Sequence, residues 1–334
     1  MVDSPRFIIT RTPMRVSFAG GGTDLADFYE HHYGAVFSTA IDKYIYVTVK
    51  RHGALFDEPV RVNYSRTEQV NTVAELQNEI ARECLKFLEI DPPIYISTVA
   101  DLPASTGLGG SSAFAVGLLN ALHAFRGERV SAGTLAEEAS HVEIDVLKQP
   151  IGKQDQYVSA FGGLNLFTFR PGGNVTVEPQ RVRSELAQAM FDHMLLFFTG
   201  LRRDAKVVLT EQKARTAEKL DSLLAMREHA LTLQALLGRG SFDPTEFGRI
   251  LDVTWQLKRD LASTMTSGPI DAMYRDAMRA GAEGGKLCGA GGGGFLLFVV
   301  RPERQAAVRQ ALGRLSEVPV QYEVHGSRLL LPHS

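Results

Sequence analysis

The chain has 334 residues, of which 44% are hydrophobic and 22% are charged, a composition typical of a globular protein long enough for two domains. Its 36 Lys and Arg residues nearly balance its 38 Asp and Glu residues, and the net charge of −2 argues against nucleic acid or an anionic membrane as a partner. Cys84 and Cys288 have neither zinc-ligand nor disulfide-framework spacing, and the N-terminal residues lack the apolar stretch of a signal peptide or membrane anchor, so we expect a cytoplasmic protein.

The first half of the chain alternates between strand-like and helix-like patterns. Short β-branched or aromatic runs bounded by glycine or charge predict strands, and apolar residues at helical spacing predict helices. In chain order the predictions are strands at 16–19, 36–41 and 44–49, a helix at 72–88, a strand at 94–99, helices at 111–125 and 131–147, and strands at 164–169 and 175–178.

A different pattern begins near residue 190. A strand is predicted at 194–198, a long helix or a helical pair at 205–237 and a helix at 245–261, followed by a helix, a glycine loop, a strand, a helix and a strand. We therefore predict two α+β domains, residues 1–190 and 191–334, with a cleft between them.

The segment PASTGLGGSSAF, residues 103–114, separates a predicted strand from a predicted buried helix. Its glycines allow successive backbone N–H groups to face one anion, and the helix adds the positive end of its dipole. One serine hydroxyl could cap the helix while another reaches a phosphate oxygen or its Mg²⁺ ion. An ordinary glycine-rich turn with a serine cap is the alternative, and a P-loop is disfavoured because no Gly-Lys-Ser/Thr follows. The predicted nucleotide-binding residues are Pro103, Gly107, Leu108, Gly109, Gly110, Ser111 and Ser112.

A second glycine run, KLCGAGGGGFLLFVV, fits the GxGxxG pattern through Gly289, Gly291 and Gly294. A helix would follow a dinucleotide-binding loop, whereas an apolar strand follows here, so a dehydrogenase is the weakest interpretation. We expect a loop packed against the nucleotide or against the first glycine loop. A purely structural hairpin is the alternative.

Together with RTPMRVSFAGGGTDL near the N-terminus, these two loops resemble the three ordered motifs of the GHMP kinases, the superfamily of galactokinases and of homoserine, mevalonate and phosphomevalonate kinases. The resemblance covers nearly the whole chain. It implies an α+β GHMP kinase fold, with an N-terminal lobe similar to the second domain of ribosomal protein S5 and a ferredoxin-like C-terminal lobe. It also implies ATP as co-substrate, bound with Mg²⁺ in the cleft between the lobes.

Three phrases are most similar to the bacterial heptose 7-phosphate kinases, with fucokinases as near relatives: AGGGTD, PIGKQDQYVSAFGGLN and FFTGLRRDAKVVL. Galactokinases share PxRV and TD, but they carry Glu-His where this chain has Gly21 and Gly22, which argues against galactose. The resemblance thus implies phosphorylation of the anomeric hydroxyl of D-glycero-D-manno-heptose 7-phosphate, in nucleotide-heptose synthesis for surface polysaccharide. The implied partners are ATP and a small sugar phosphate, with a homo-oligomer left open.

The resemblance also implies roles for individual residues. Asp155 matches the catalytic base of galactokinases, and Arg15 matches the first-motif arginine that would pair with that base and neutralise charge on the transferred phosphoryl group. A helix N-terminal carboxylate and a surface ion pair are the respective alternatives. Glu143 matches the magnesium-ligating glutamate, with Ser112 as second ligand; a solvated helix glutamate is the alternative.

A third set of residues would hold the acceptor. Asp24 matches the acidic residue that galactokinases place on sugar hydroxyls, although it could also cap a helix beginning near Leu25. A phosphorylated acceptor needs a second anion site, for which the basic residues at 202–206 are candidates; an exposed charged helix start is the alternative. The predicted substrate-binding residues are Gly21, Gly22, Thr23, Asp24, Arg202, Arg203, Lys206, Gly291 and Gly292.

Two other functions compete with a heptose 7-phosphate kinase. One is a fucokinase or another sugar 1-kinase, which activity on unphosphorylated sugars would favour. The other is a catalytically silent sensor of sugar and nucleotide on the same fold, against which the presence of the full set Arg15, Ser112, Glu143 and Asp155 argues.

Overall fold

The computed structural model describes residues 7–53, 55–104, 106–201 and 205–330, which form two sheets covered by helices and so confirm the predicted α+β class. The strands are β1 (Phe7–Ala19), β2 (Gly34–Arg51), β3 (Val60–Asn63), β4 (Thr67–Val70), β5 (Ile94–Ala100), β6 (Leu164–Phe169), β7 (Val175–Pro179), β8 (Met194–Phe198), β9 (Gly284–Leu287), β10 (Phe295–Val299), β11 (Ser316–Glu317) and β12 (Arg328–Leu329). The α-helices are α1 (Ala26–Tyr29), α2 (Glu79–Phe87), α3 (Gly110–Phe125), α4 (Ala132–Ser140), α5 (Gln154–Phe161), α6 (Ser184–Asp192), α7 (Ala205–Ala214), α8 (Leu220–Gly238), α9 (Pro244–Arg259), α10 (Gly268–Arg279) and α11 (Pro302–Ala311). Within these ranges no helix has the length and apolar character that crossing a membrane requires.

The first sheet has the order β12-β1-β2-β5-β3-β4, with β6 also paired to β2 and β7 paired to β6. Strand β2 is continuous where the sequence predicts two strands, at 36–41 and 44–49. The first part of β2 pairs with β6 and the second part with β5. Its register with β1 shifts just after Pro13, which leaves Asp42 and Lys43 as the extra residues of a bulge. The charged pair that predicts a break therefore marks a bulge within one strand.

The second sheet has the order β11-β8-β10-β9, and all its neighbouring strands are antiparallel. Helix α9 packs along β9, while α8 lies between α9 and the strands β1 and β2 of the first sheet. The predicted boundary at residue 190 falls in the last turn of α6, and β8 opens the second sheet just after it. The division into two domains at that residue stays a prediction.

The end of the described chain returns to the first sheet, where β12 pairs with β1. The hydroxyl oxygen of Ser327 lies 2.8 Å from the hydroxyl oxygen of Thr12 and accepts a hydrogen bond from the Asn120 amide at 2.9 Å. The backbone N–H of Ser327 donates to the carbonyl of Ser159 at 2.9 Å. One residue near the end of the chain thus links β1, α3 and α5.

Two predicted helices are divided in the structure. The segment predicted as a helix at 72–88 begins with a separate 3₁₀ turn, Val73–Glu75, and α2 starts only after Asn78. The reason is a cap: the Asn78 side chain accepts a hydrogen bond from the backbone N–H of Ala81 at 3.0 Å. The segment predicted as one helix or a pair at 205–237 is the pair α7 and α8.

The sequence pattern predicts none of the short elements α6, β3, β4 and β9, and it offers α1 and α5 only as alternatives, a helix near Leu25 and a helix with Asp155 at its N-terminus. Each has between four and nine residues, which is too few for a helical or an alternating pattern to stand out. Two of them matter for the site, because α5 carries Asp155 and β9 leads into the second glycine run.

Candidate active site

A cavity of about 600 Å³ is lined by residues from both halves of the chain and from all three motifs. Its apolar lining includes Ile45, Ile80, Leu102 and Phe114, and its charged lining consists of Arg15, Asp24, Asp155, Lys258 and Lys286. A cavity with both apolar and charged lining residues suits a ligand that joins an aromatic base to a polyphosphate.

The first glycine loop, residues 107–110, leads directly into α3. Gly107 and Gly109 have φ angles of +82° and +77°, which residues with a Cβ rarely adopt. Gly109 is the N-cap of α3, without a side-chain cap, and the helix begins at Gly110. The expectation that a serine caps this helix is therefore wrong, because Ser111 and Ser112 already lie in its first turn. The backbone N–H groups of that turn remain available to an anion.

The two glycine loops pack directly against each other. A Cβ on Gly289 would lie 2.3 Å from the Cα of Gly107, and a Cβ on Gly294 would lie 2.3 Å from the carbonyl oxygen of Thr106. This contact confirms the expected packing of the second loop on the first. The loop also joins the antiparallel strands β9 and β10, so it is the connection of a β-hairpin, as the alternative interpretation expects. Gly291 lines the cavity, whereas the N–H of Gly292 donates to the carbonyl of Met265 at 2.8 Å and Gly292 is not part of the lining.

Arg15 holds Asp155 by two hydrogen bonds. Its Nε donates to Oδ1 at 2.7 Å and its Nη2 to Oδ2 at 2.6 Å, while Nη1 donates to the carbonyl of Gly107 at 2.7 Å. The Arg15 side chain is 5% exposed and that of Asp155 is 23% exposed, so the interpretation of Arg15 as a surface residue is wrong. Asp155 lies in the first turn of α5, and it is therefore a helix N-terminal carboxylate as well as the partner of Arg15.

Asp24 is buried at the edge of the cavity. Its carboxylate accepts hydrogen bonds from the backbone N–H groups of Gly22 at 2.8 Å and Gln154 at 3.2 Å. Burial raises the pKa of Asp24, and the negative charge of Asp155 adds to that rise. The alternative of a helix cap is wrong, because α1 has Leu25 as its N-cap and no side-chain cap bond.

Two predicted ligand-binding residues hold backbone in place instead. The hydroxyl of Thr23 donates to the carbonyl of Gly20 at 2.8 Å and accepts from the N–H of Ala35 at 3.1 Å. Thr23 is fully buried and does not line the cavity, which fits a residue that supports Asp24, and its role in substrate binding stays a prediction. Leu108 is also absent from the lining, and its carbonyl accepts the backbone N–H of Arg15 at 3.0 Å. By contrast, Pro103, Gly21 and Gly22 line the cavity.

Glu143 reaches the glycine loop from a π-helical turn, His141–Val146, that continues α4. It is 1% exposed, so the alternative of a solvated glutamate is wrong. Gln156 donates to its carboxylate at 2.7 Å. Burial raises the pKa of Glu143 to about 7, while hydrogen bonds from Ser112, Gln156 and Ser111 act in the opposite direction.

The donors around Glu143 fit a magnesium ion that keeps phosphate and water ligands. Among the described residues, no group of three or more His, Cys, Asp or Glu side chains could hold a metal alone. The Glu143 carboxylate and the Ser112 hydroxyl are hard oxygen donors, and the Oε1 atom of Gln156 beside them is buried without a partner. Magnesium commonly uses one or two protein carboxylates together with substrate phosphates, so the donor set suits this ion.

The predicted second anion site is only partly described. Arg202 and Arg203 lie outside the described residues. Lys206 is an exposed residue of α7 and does not line the cavity.

Sequence reasoning does not find two cationic residues of the cavity. Lys258, on α9, donates from Nζ to the carbonyl of Gly289, and Lys286, on β9, donates to the carbonyls of Ser17 at 2.7 Å and Phe18 at 3.0 Å. Lys286 is the first residue of the segment KLCGAGGGGFLLFVV, three positions before Gly289, and this place beside the glycines is a signal in the sequence. Lys258 has no such signal, because a lysine near the end of an amphipathic helix ordinarily predicts an exposed side chain.

The comparisons with known families agree with this geometry. Residues 71–163 match the GHMP kinases N terminal domain and residues 233–317 match the GHMP kinases C terminal family, which together span more than half of the chain.

Individual relatives cover nearly all of the chain. The D-glycero-alpha-D-manno-heptose 7-phosphate kinase of Campylobacter jejuni subsp. jejuni serotype O:2 is 29% identical, with 91% of this chain and 93% of that protein aligned. The L-fucokinase/L-fucose-1-P guanylyltransferase of Bacteroides fragilis is 28% identical over 92% of this chain but only 36% of its own length. The crystal structure of a D-glycero-D-manno-heptose 1-phosphate kinase from Bacteroides thetaiotaomicron has a TM-score of 0.80, with 24% identity over 98% of this chain and 100% of that one.

The structural similarity confirms the predicted fold, and the two family matches confirm the resemblance inferred from the three motifs. Those motifs meet around one cavity, in which a glycine loop, a helix N-terminus and the Arg15–Asp155 pair lie side by side. The chain therefore belongs to the GHMP kinases and is a phosphotransferase.

Proposed function

We propose that this chain is an ATP- and Mg²⁺-dependent sugar kinase that phosphorylates the anomeric hydroxyl of D-glycero-D-manno-heptose 7-phosphate to give the 1,7-bisphosphate. The observation that carries the proposal is the carboxylate of Asp155, which Arg15 holds by two hydrogen bonds within a cavity that Asp24 also lines. The heptose phosphate is proposed from the similarity to the Campylobacter jejuni heptose 7-phosphate kinase.

Asp155 is the proposed base. Because both of its oxygens are held by Arg15, its orientation toward the cavity is fixed before substrate binds. As the acceptor oxygen forms its bond to the γ-phosphorus, the bond from that phosphorus to the leaving oxygen of ADP breaks and the hydroxyl proton passes to Asp155. The guanidinium of Arg15 supplies positive charge next to the phosphoryl oxygens, which stabilises the transition state.

The glycine loop is the proposed phosphate cradle. The N–H groups at the start of α3 and the positive end of its dipole face the cavity at the loop, where they would hold the triphosphate of ATP. The apolar lining residues Ile80, Leu102 and Phe114 would contact the base. Asp24, on the acceptor side, would accept hydrogen bonds from sugar hydroxyls, next to the backbone of Gly21 and Gly22.

Glu143 and Ser112 are the proposed protein ligands of Mg²⁺. When bound, the ion neutralises charge on the phosphate chain and helps to orient it. Positive charge at this place would also compensate the buried Glu143 carboxylate, whose only described partners are neutral groups.

Replacing either proposed magnesium ligand should raise the Mg²⁺ concentration needed for activity. We expect Glu143→Gln and Ser112→Ala to raise the half-saturating Mg²⁺ concentration on the order of tenfold or more, because each removes one of few protein ligands. Turnover measured in an Mg²⁺ titration at saturating ATP checks this. Asp145→Asn is the matched control, since Asp145 lies in the same π-helical turn with 65% of its side chain exposed. A variant with an unchanged Mg²⁺ titration would remove that residue from the proposed site.

The substrate is tested with a panel of acceptors. We expect turnover of ATP with D-glycero-D-manno-heptose 7-phosphate and little turnover with mannose, fucose, galactose or mevalonate. Mass and NMR analysis of the product should place the new phosphate on the anomeric oxygen. No turnover with any of these acceptors, despite ATP binding, would contradict the proposed substrate and favour a sensor.

A fucokinase is the second candidate, and the similarity to the Bacteroides fragilis fucokinase over 92% of this chain supports it. Turnover of free fucose in the panel would favour it.

We further propose that the enzyme works in the cytoplasm and serves the synthesis of capsule or lipopolysaccharide. We also propose that Arg202, Arg203 and Lys206 contact the acceptor phosphate.

A further inference from the structure

Two lysines that the proposed chemistry does not use face the cavity. Lys258 is 6% exposed and Lys286 is 3% exposed, and both line the same space as Arg15, Asp24 and Asp155. The lysines come from α9 and β9 in the second half of the chain, whereas the carboxylates come from the first half. The second half therefore brings buried positive charge to the site.

Neither lysine has a counter-ion. In the part of the chain that the structure describes, Lys258 donates to the carbonyl of Gly289 and Lys286 to the carbonyls of Ser17 and Phe18, and no carboxylate lies within ion-pair distance of either. Carbonyl groups satisfy single N–H bonds but do not neutralise the charge, and a buried ammonium without a counter-ion is costly.

The pKa values of the two lysines reflect the same lack of counter-ions. Burial lowers the pKa of Lys258 to about 8, and the positive charge of Arg15 adds to the effect. Burial lowers the pKa of Lys286 to about 7, and here the charge of Lys258 adds to it. Asp24 and Asp155 act on Lys258 in the opposite direction, but only through space. An anion between the lysines would relieve both the burial cost and their mutual repulsion.

The site also has unused hydrogen-bond donors. Each ammonium has three N–H groups, of which Lys258 uses one and Lys286 uses two in the bonds just described. The hydroxyl of Ser17 and the amide nitrogen of Gln212 line the cavity and are buried without a partner. Gln212 lies next to the loop that carries Gly21 and Gly22, since a Cβ on Gly22 would be 2.4 Å from its amide nitrogen.

We propose that Lys258 and Lys286 together form a binding site for a phosphoryl group, with Ser17 and Gln212 as neutral donors. The proposal deepens the proposed kinase function and rests on it. In that reaction such a group has two sources, the γ-phosphoryl of ATP and the phosphate that the acceptor already carries. Both present an anionic group with several acceptor oxygens, which is the chemistry that the cation pair and its spare donors fit.

The test uses Lys258→Gln, which removes the charge and keeps a donor for the carbonyl of Gly289. Calorimetric titration measures the affinity of the intact chain for ADP, for the non-hydrolysable ATP analogue AMP-PNP, and for heptose 7-phosphate and unphosphorylated heptose. Lys258→Arg keeps the charge and should preserve binding. Lys86→Gln is the control, because Lys86 lies on α2 with 47% of its side chain exposed and should change nothing.

A selective loss supports the proposal and identifies the source of the phosphoryl group. If the site holds the γ-phosphoryl, Lys258→Gln should weaken AMP-PNP binding roughly 10- to 100-fold and leave ADP unchanged. If it holds the acceptor phosphate, the same loss should appear for heptose 7-phosphate, while both nucleotides and unphosphorylated heptose bind as before. Lys286→Gln should then show the same selectivity.

Two results would overturn the proposal. One is unchanged binding of every ligand by a folded Lys258→Gln. The other is an equal loss for ADP and AMP-PNP, which would mean that Lys258 acts through the glycine loop that it contacts. A chain that binds AMP-PNP in this lysine-dependent way but fails to phosphorylate heptose 7-phosphate would contradict the proposed substrate and still support the phosphoryl site.

Discussion

Replacing Asp155 with asparagine should lower kcat by a factor on the order of 10²–10⁴, because the variant would present no carboxylate to accept the acceptor proton. The substitution keeps the shape of the side chain, and an amide oxygen can still accept one of the two hydrogen bonds from Arg15. We therefore expect the fold and the affinity for AMP-PNP to change little. Steady-state turnover of heptose 7-phosphate, together with calorimetric titration of the nucleotide, checks both parts.

A control substitution in another helix separates the loss of the proposed base from a general loss of negative charge. Asp221 also lies in the first turn of a helix, α8, but it is exposed. Asp221→Asn should keep wild-type turnover. If Asp155→Asn kept more than about a tenth of wild-type kcat, general base catalysis by Asp155 would be excluded, since a positioned base ordinarily contributes at least about a hundredfold.

Replacing Gly289 with alanine should both destabilise the chain and abolish tight nucleotide binding. Gly289 has φ +74°, and a Cβ would lie 2.3 Å from the Cα of Gly107, on the backbone of the proposed phosphate cradle. Backbone cannot move aside as a side chain does, so the two glycine loops must separate. We expect the free energy of unfolding to fall by roughly 1–3 kcal/mol from overpacking, in addition to about 1 kcal/mol of backbone strain.

Gly240 offers the matched control for this substitution. It has φ +79°, but a Cβ there would meet nothing within 4 Å. Gly240→Ala should therefore show only the strain of about 1 kcal/mol and bind AMP-PNP normally. Urea denaturation and nucleotide titration of the two variants side by side measure the difference. Equal unfolding free energies for the two variants would show that the contact between the loops contributes nothing beyond strain.

The sequence predicts those parts of the site whose chemistry is local or whose residues belong to a recognised motif. The glycine loop needs only its own residues to reach positive φ at Gly107 and Gly109, and both angles are as expected. The motif match brings Arg15 and Asp155 to the same place although 140 residues separate them, and the structure joins them by two hydrogen bonds. The α+β class also follows from periodicity alone.

The parts that the sequence does not predict depend on packing between distant elements. The π-helical turn at His141–Val146 turns Glu143 into the interior, and helical periodicity in this segment does not reveal it. Lys258 is buried because the second glycine run packs over it and accepts its hydrogen bond. Thr23 resembles a part of the acceptor-binding motif, but its hydroxyl accepts a hydrogen bond from the backbone N–H of Ala35 on the neighbouring strand β2.

The return of β12 to the first sheet has a consequence for folding during protein synthesis. Strand β1, which carries Arg15, leaves the ribosome before the strands of the second sheet, while Ser327 and β12, which pairs with the edge of β1, leave it after them. Until β12 has been synthesised, the outer edge of β1 therefore lacks this partner and can pair with other exposed strands. The first sheet can gain its last strand only after the strands of the second sheet have been synthesised.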